Sequence, residues 1–146
     1  MLDIVPMQDW HLPDLAKIER LCFACPWSEA ALKAEIGREN AIFLVALWDN
    51  AVAGYGGMYI QDEAACITNI CTHPDFRRRH VGSRILADLI GCGWKRNLKS
   101  ISLEVRTSNT LAIGMYKKQG FAIIGERKHI YTKPLENGYV MKYTYP

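Results

Sequence analysis

The chain has 146 residues, 49% apolar and 23% charged, with a net charge of +3. That is the composition of one ordinary globular domain, 1–146, long enough to bury a core. The charge is too small to mark a polybasic tail and neither demands nor excludes nucleic acid, and no apolar run approaches the roughly 20 residues that span a bilayer.

In chain order, "LDIVPM" reads as a first strand. "LPDLAKIERLC" follows as a helix, with Pro13 suited to its first turn and Leu15, Ile18 and Cys22 on one face. In "PWSEAALKAEI" Ser28 is a natural N-cap for a second short helix. "AIFLVALW" and "AVAGYGGMYI" flank Asp49 and Asn50 and read as a hairpin. "AACITNICT" is β-branched and cysteine-rich, a candidate central strand. From Val81 the period turns helical, with Val81, Ile85, Leu86, Leu89 and Trp94 on one face and Gly91 and Gly93 weakening the last turn. "SISLEV" alternates, with Ile101, Leu103 and Val105 on one side and Ser102 and Glu104 on the other. "NTLAIGMYKKQG" is a helix stopped by Gly120. "FAIIGERK" and "YVMKYTYP" close the chain as strands paired across a polar "HIYTKPLENG" connection. The whole is an α/β arrangement. The strand-helix-strand unit from Ala65 to Val105 predicts one parallel strand pair through a right-handed crossover.

The stretch "HPDFRRRHVGSRIL" places Arg77, Arg78 and Arg79 where a strand hands over to a helix. The first amides of a helix lack internal partners and carry about half a positive charge. Adjacent guanidinium groups add bidentate donors, and Gly82 has no side chain to hold a ligand off the backbone. Such a cradle suits phosphate or diphosphate; a solvated basic loop is the alternative that these residues alone leave open. The Gly-Lys-Ser/Thr ending of a P-loop and the glycine pattern of a dinucleotide fingerprint are both absent.

Four segments in order carry a resemblance: "PWSEAAL", "TNICTHPDFRRRHVGSRIL", "LEVRTSNTLAIGMYKKQGF" and "GERKHIYTKPLENGYVM". The chain resembles the GNAT N-acetyltransferase superfamily, and within it the ribosomal-protein-alanine N-acetyltransferase (RimI-like) branch. The resemblance implies the GNAT fold, a mixed and mostly antiparallel central sheet with one parallel pair and about four flanking helices. It also implies acetyl-CoA as acetyl donor, with no metal. The family motif Arg/Gln-x-x-Gly-x-Gly/Ala falls on Arg77 to Gly82, with His80 where the family has its first glycine. By the same resemblance Ile70, Cys71 and Thr72 would pair their backbone with the pantetheine arm. Arg77, Arg78, Arg79, His80, Val81, Gly82 and Ser83 would wrap the pyrophosphate, and Asn109 would hold the arm further along.

The chemistry needs a neutral amine, a stabilised oxyanion and a proton for the departing thiolate. A protein α-amine, with a pKa near 8, needs only a modest base, often through water. Glu104 in "LEVR" matches the family's proposed base and Tyr116 in "GMYKKQGF" its proposed acid. A strand amide near Cys71 would meet the oxyanion. The acceptor, by resemblance a protein N-terminus, a ribosomal protein's among them, would lie between Pro26 and Trp27 and the late hairpin around Tyr131 to Tyr139. Glu136-Asn137-Gly138 departs there from the acidic pair that the family commonly carries. A small amine or a lysine as acceptor, and a binding module disabled by His80, are the competing readings. A nucleic-acid contact through Arg77 to Arg79 ranks last, for want of interleaved aromatics.

Cys22, Cys25, Cys66, Cys71 and Cys92 form no regular framework, and Cys22-Phe-Ala-Cys25 has no second pair, so these read as structural thiols in a reducing setting. The N-terminal segment lacks the pattern of a secretory leader. The expected protein is cytoplasmic, away from membranes, and a monomer or weak dimer.

Overall fold

The computed structural model describes residues 1–146. Seven strands form one sheet: β1 (Leu2–Pro6), β2 (Ala41–Trp48), β3 (Ala51–Gln61), β4 (Ala64–Thr72), β5 (Ser100–Arg106), β6 (Ala122–Thr132) and β7 (Leu135–Thr144). Their spatial order is β1-β2-β3-β4-β5-β7-β6, and every neighbouring pair is antiparallel except β4 with β5. Four α-helices flank it: α1 (Leu12–Cys22), α2 (Glu29–Lys33), α3 (Val81–Lys95) and α4 (Thr110–Lys118). The mixed sheet with one parallel pair is the predicted architecture, and "AACITNICT" is its middle strand.

Local chemistry explains the elements. Asp49 and Asn50 both adopt positive φ, 48° and 71°, which gives a two-residue turn the twist that a hairpin requires. The Ser28 hydroxyl accepts from the Ala31 amide at 3.1 Å, and the Asn109 side chain from the Ala112 amide at 3.2 Å, so α2 and α4 are both capped. Gly120 ends α4 at φ +105°.

Each sheet face has its own core. On one side Ile85, Leu86 and Leu89 of α3 and Ile113 and Tyr116 of α4 pack on Ile101, Leu103 and Met141. On the other, Leu15 and Ile18 of α1 and Leu32 of α2 pack on Val45, Leu47 and Tyr55. Fully buried side chains of this size contribute about 1.5–3 kcal/mol each.

Two expectations need correction. Trp94 does not continue the buried face of α3 but is 60% exposed, and Gly93 lies inside instead. A Cβ at Gly93 would overlap the Tyr145 hydroxyl, which donates to the Ile90 carbonyl at 2.6 Å. That glycine thus admits the C-terminal strand's continuation, and the helix runs through it to Lys95 rather than fraying. The late connection is also shorter than expected. β6 and β7 pair as far as Thr132 with Leu135, leaving only Lys133 and Pro134 between them. An irregularity between Arg127 and Tyr131, with His129 at φ 55°, absorbs the extra residues and lets pairing resume.

Candidate active site

β4 and β5 run side by side for only three pairs, Ala64 with Ser100, Ala65 with Ile101 and Cys66 with Ser102. Beyond Cys66 they part, while the other edge of β4 stays bonded to β3 as far as Thr72 with Gly54. A register shift at Gly57/Met58 twists β4 where the separation begins. The β5-facing edge from Ile67 to Thr72 therefore presents backbone groups without a strand partner. In the same stretch the buried Asn69 Oδ1 has no hydrogen-bond partner.

α3 starts beyond the end of β4, with no side-chain cap on its first amides, in contrast to α2 and α4. The Ser83 hydroxyl donates to the His80 carbonyl at 3.1 Å and leaves those amides free. A Cβ on Gly82 would point between the Met115 sulfur, 3.4 Å away, and the Thr72 hydroxyl, 3.6 Å away, so this first turn faces both β4 and α4. His80 takes the left-handed conformation that a glycine adopts freely, φ 61°, and is exposed. Arg78 is left-handed too, at φ 64°. Of the three arginines, Arg79 lies over the rings of Trp48 and Phe76 at 5.2 and 5.4 Å. Arg77 Nη2 donates to Cys22 Sγ at 3.7 Å, and Arg78 makes no side-chain hydrogen bond or ion pair.

On the far side of the opening, Glu104 is exposed on β5, and its Oε2 accepts from Arg127 Nη1 at 2.6 Å. Tyr116 of α4 is 8% exposed, and burial, with Tyr131 nearby, pushes its phenol up to about 12. Tyr131 is half-buried, with the Arg106 guanidinium 4.4 Å over its ring. Its phenol is raised by burial and then by Glu104, while Arg106 opposes the rise. Tyr131 therefore feels the charge of Glu104 and itself bears on Tyr116. Tyr139 is paired with Val105, so it points to the opposite sheet face from Glu104 and packs on the main core.

Glu136 is bound within the fold. Its Oε2 accepts from the Ser108 amide at 2.7 Å and the Thr107 hydroxyl at 3.3 Å, and its Oε1 from Arg106 at 3.2 Å. Hydrogen bonds from Ser108 hold its carboxyl below the usual range. Asn137 bridges Glu126 and the His129 amide, which fixes the irregular part of β6. The Asn109 carbonyl oxygen is engaged as the α4 cap.

Near the α1–α2 loop, Trp27 packs 6.2 Å from Phe43, and its amide donates to Glu19 Oε1 at 2.8 Å. Glu19 is 1% exposed, and its Oε2 accepts from the Tyr55 hydroxyl at 2.6 Å. Sequence reasoning missed Glu19, Arg127 and Asn69. Glu19 had a signal: it shares the inward face of α1 with Leu15 and Ile18, and a carboxylate there needs buried donors. Arg127 had none, because its partner depends on how β6 bends.

A cavity lined by Met7, Ile36, Phe43 and Cys92 lies between α3 and β2 and contains none of the residues expected at the site.

Residues 12–121 match the family model described as the acetyltransferase (GNAT) family. A protein of Bacillus subtilis (strain 168), provisionally named a ribosomal protein bS18-alanine N-acetyltransferase, is 35% identical over 127 residues, 86% of this chain and 83% of its own. The ribosomal protein bS18-alanine N-acetyltransferase of Salmonella typhimurium is 33% identical over 82% of this chain and 80% of its own. The crystal structure of the ribosomal-protein-S18-alanine N-acetyltransferase from Escherichia coli superposes with a TM-score of 0.89 at 29% identity, covering 99% of this chain and 94% of that one.

Proposed function

Because the chain belongs to the acetyltransferase (GNAT) family, whose members take their acetyl group from acetyl-CoA, we propose that its acceptor is the α-amine of a protein N-terminus, a ribosomal protein beginning with alanine first among the candidates. The names of the relatives above support that acceptor class. The observation that carries the donor site on which this reading rests is the parting of β4 from β5 after three pairs, with α3 starting uncapped beyond the end of β4.

The residues present fit the donor. The unpaired edge of Ile67 to Thr72, with Ile70, Cys71 and Thr72 at its end, offers an amide chain of the kind that β4-edge pairing of a pantetheine arm requires. Val81, Gly82 and Ser83 supply free amides for a diphosphate, and Arg78 has a guanidinium free to join them. Arg77 and Arg79 are tied to Cys22 and to the Trp48 and Phe76 rings, and in this reading they act by charge at the rim. His80 caps nothing and is exposed, which favours an enzyme over a fold whose cofactor site has been plugged.

Acetyl-CoA supplies the acyl group as a thioester, already activated toward an amine. Glu104 takes the proton of the attacking amine, directly or through water. A β4 amide near Cys71 meets the developing oxyanion. Tyr116, a phenol that stays protonated far above neutral pH, gives its proton to the leaving sulfur. Tyr131 and Trp27 border the acceptor's path. Tyr139, on the opposite sheet face, acts only as support behind it.

The test is a screen in which acetyl-CoA and the protein meet peptides with free alanine N-termini, the same peptides with blocked N-termini and an internal lysine, and small free amines. Acetylation confined to free N-termini supports the reading. Preference for lysine or a small amine refutes the acceptor while leaving the family chemistry intact.

A further inference from the structure

Glu19 has no part in the chemistry above, yet it is buried on the inward face of α1 with Leu15 and Ile18. A carboxyl group in such a place costs free energy unless donors surround it. Three elements supply them. The Trp27 amide, in the loop between α1 and α2, donates to Oε1 at 2.8 Å. The Tyr55 hydroxyl of β3 donates to Oε2 at 2.6 Å, and the Cys71 sulfur of β4 lies 3.8 Å from the same oxygen. Burial raises the Tyr55 phenol well above its usual range, so this hydroxyl keeps its proton and stays a donor. Tyr55 and Cys71 are directly paired in the β3–β4 register and so point to one face of the sheet. The loop has little else to hold it. From Ala24 to Trp27 the only backbone group in a hydrogen bond is the Trp27 amide.

We propose that Glu19 is a positioning residue for the acceptor: it ties the loop that carries Trp27 to β3 and to the end of β4. The inference rests on the reading above, in which Trp27 borders the acceptor's path and the β4 edge takes the donor. Glu19 touches neither substrate. Its Oε1 holds the loop and its Oε2 holds the sheet, so one rigid group sets the spacing between the acceptor's wall and the end of β4. An apolar side chain would fill the same volume and leave that spacing unset, which gives the carboxyl group a use despite the cost of burying it. None of the three contacts involves Val81, Gly82 or Ser83, so donor binding at the helix start does not depend on Glu19.

Removing Glu19 alone strands the Tyr55 hydroxyl, so the deciding variant is Glu19→Leu combined with Tyr55→Phe, which withdraws acceptor and buried donor together. It is compared with the wild type, Tyr55→Phe and Glu19→Gln, the last of which keeps an acceptor for the Trp27 amide. Amide exchange at Trp27 is followed by NMR, acetyl-CoA affinity by calorimetry, and steady-state kinetics with an N-terminal peptide varied. In the double variant the Trp27 amide should exchange faster, acetyl-CoA should bind as in the wild type, and peptide kcat/KM should fall about 10- to 100-fold, the scale of a displaced positioning group. Glu19→Gln should recover most of both losses, and Tyr55→Phe should show neither. Glu19→Asp, one methylene short of the loop, repeats the test on a polar background, with the same faster exchange and raised peptide KM. Unchanged exchange at Trp27, an unchanged peptide kcat/KM, equal losses in Glu19→Gln and the double variant, or a parallel loss of acetyl-CoA affinity overturns the proposal. Exchange and donor affinity are read without an acceptor. Should the acceptor screen favour another amine, the kinetic arm uses that amine, and the failure of the acceptor class stays distinct from the failure of the tether.

Discussion

Arg127 Nη1 stands 2.6 Å from Glu104 Oε2, so the carboxylate proposed as the base is already held by a cation. Both side chains are well exposed, 62% and 39%, and such surface pairs contribute only about 0–1 kcal/mol to stability. The pair therefore matters more for the site than for the fold. An incoming α-ammonium carries the same charge and competes for the same oxygen.

Arg127→Ala should accordingly lower the KM for an N-terminal peptide several-fold and leave the KM for acetyl-CoA unchanged. Steady-state kinetics with each substrate varied in turn check this. An unchanged peptide KM refutes competition at Glu104.

Glu104→Gln and Tyr116→Phe should each lower kcat by about 10²-fold or more, the usual scale of a proton-transfer group, with acetyl-CoA affinity retained. Burial raises the Tyr116 phenol to about 12, so the proton donor survives to high pH. The alkaline limb of kcat should lie above about pH 10, beyond the unperturbed phenol. A wild-type rate that falls by pH 9, in a profile unchanged in Tyr116→Phe, assigns the proton to another group.

Glu19 accepts from the Tyr55 hydroxyl at 2.6 Å and from the Trp27 amide at 2.8 Å, deep between α1 and the sheet. Glu19→Ala leaves two inward-facing donors unpaired and should cost on the order of 2–4 kcal/mol in urea unfolding. Glu19→Gln, which keeps an acceptor, should cost less than half of that. Equal losses in the two variants contradict the hydrogen-bonding role.

His80 occupies a left-handed position at φ 61°, a conformation that costs a non-glycine residue about 1–2 kcal/mol. His80→Gly should fold with unchanged or higher melting temperature and bind acetyl-CoA at least as tightly as the wild type. His80→Val, β-branched and ill-suited to positive φ, should lower both. Weaker binding in His80→Gly would assign the imidazole a direct contact with the donor.

Much of this was legible in the sequence because local chemistry decided it. The alternation of "SISLEV" set which residues of β5 face the core, and Asp49-Asn50 set the hairpin. The "RRRHVG" stretch marked the start of α3. What could not be read depended on contacts distant in the chain. Trp94 fits the apolar spacing of α3, yet Gly93 is the residue inside, because Tyr145, some fifty residues later, occupies the space. The partner of Glu104, Arg127, lies 23 residues away and meets it only once the sheet is assembled. The resemblance set Tyr139 beside the acceptor along with Tyr131, but the register with Val105 turns it to the other face.

The helix-start nest is most directly tested by calorimetric titration of acetyl-CoA into the wild type and Gly82→Glu. A Cβ at Gly82 meets the Met115 side chain and the Thr72 hydroxyl at ordinary contact distance, and glutamate is a better helix former than glycine. The variant should therefore fold normally while placing a carboxylate among the free amides. One-to-one binding in the wild type, weakened at least tenfold in Gly82→Glu at unchanged melting temperature, is the expected result. No heat from the wild type up to millimolar acetyl-CoA, or equal affinity in the two proteins, contradicts the nest and the donor site built on it.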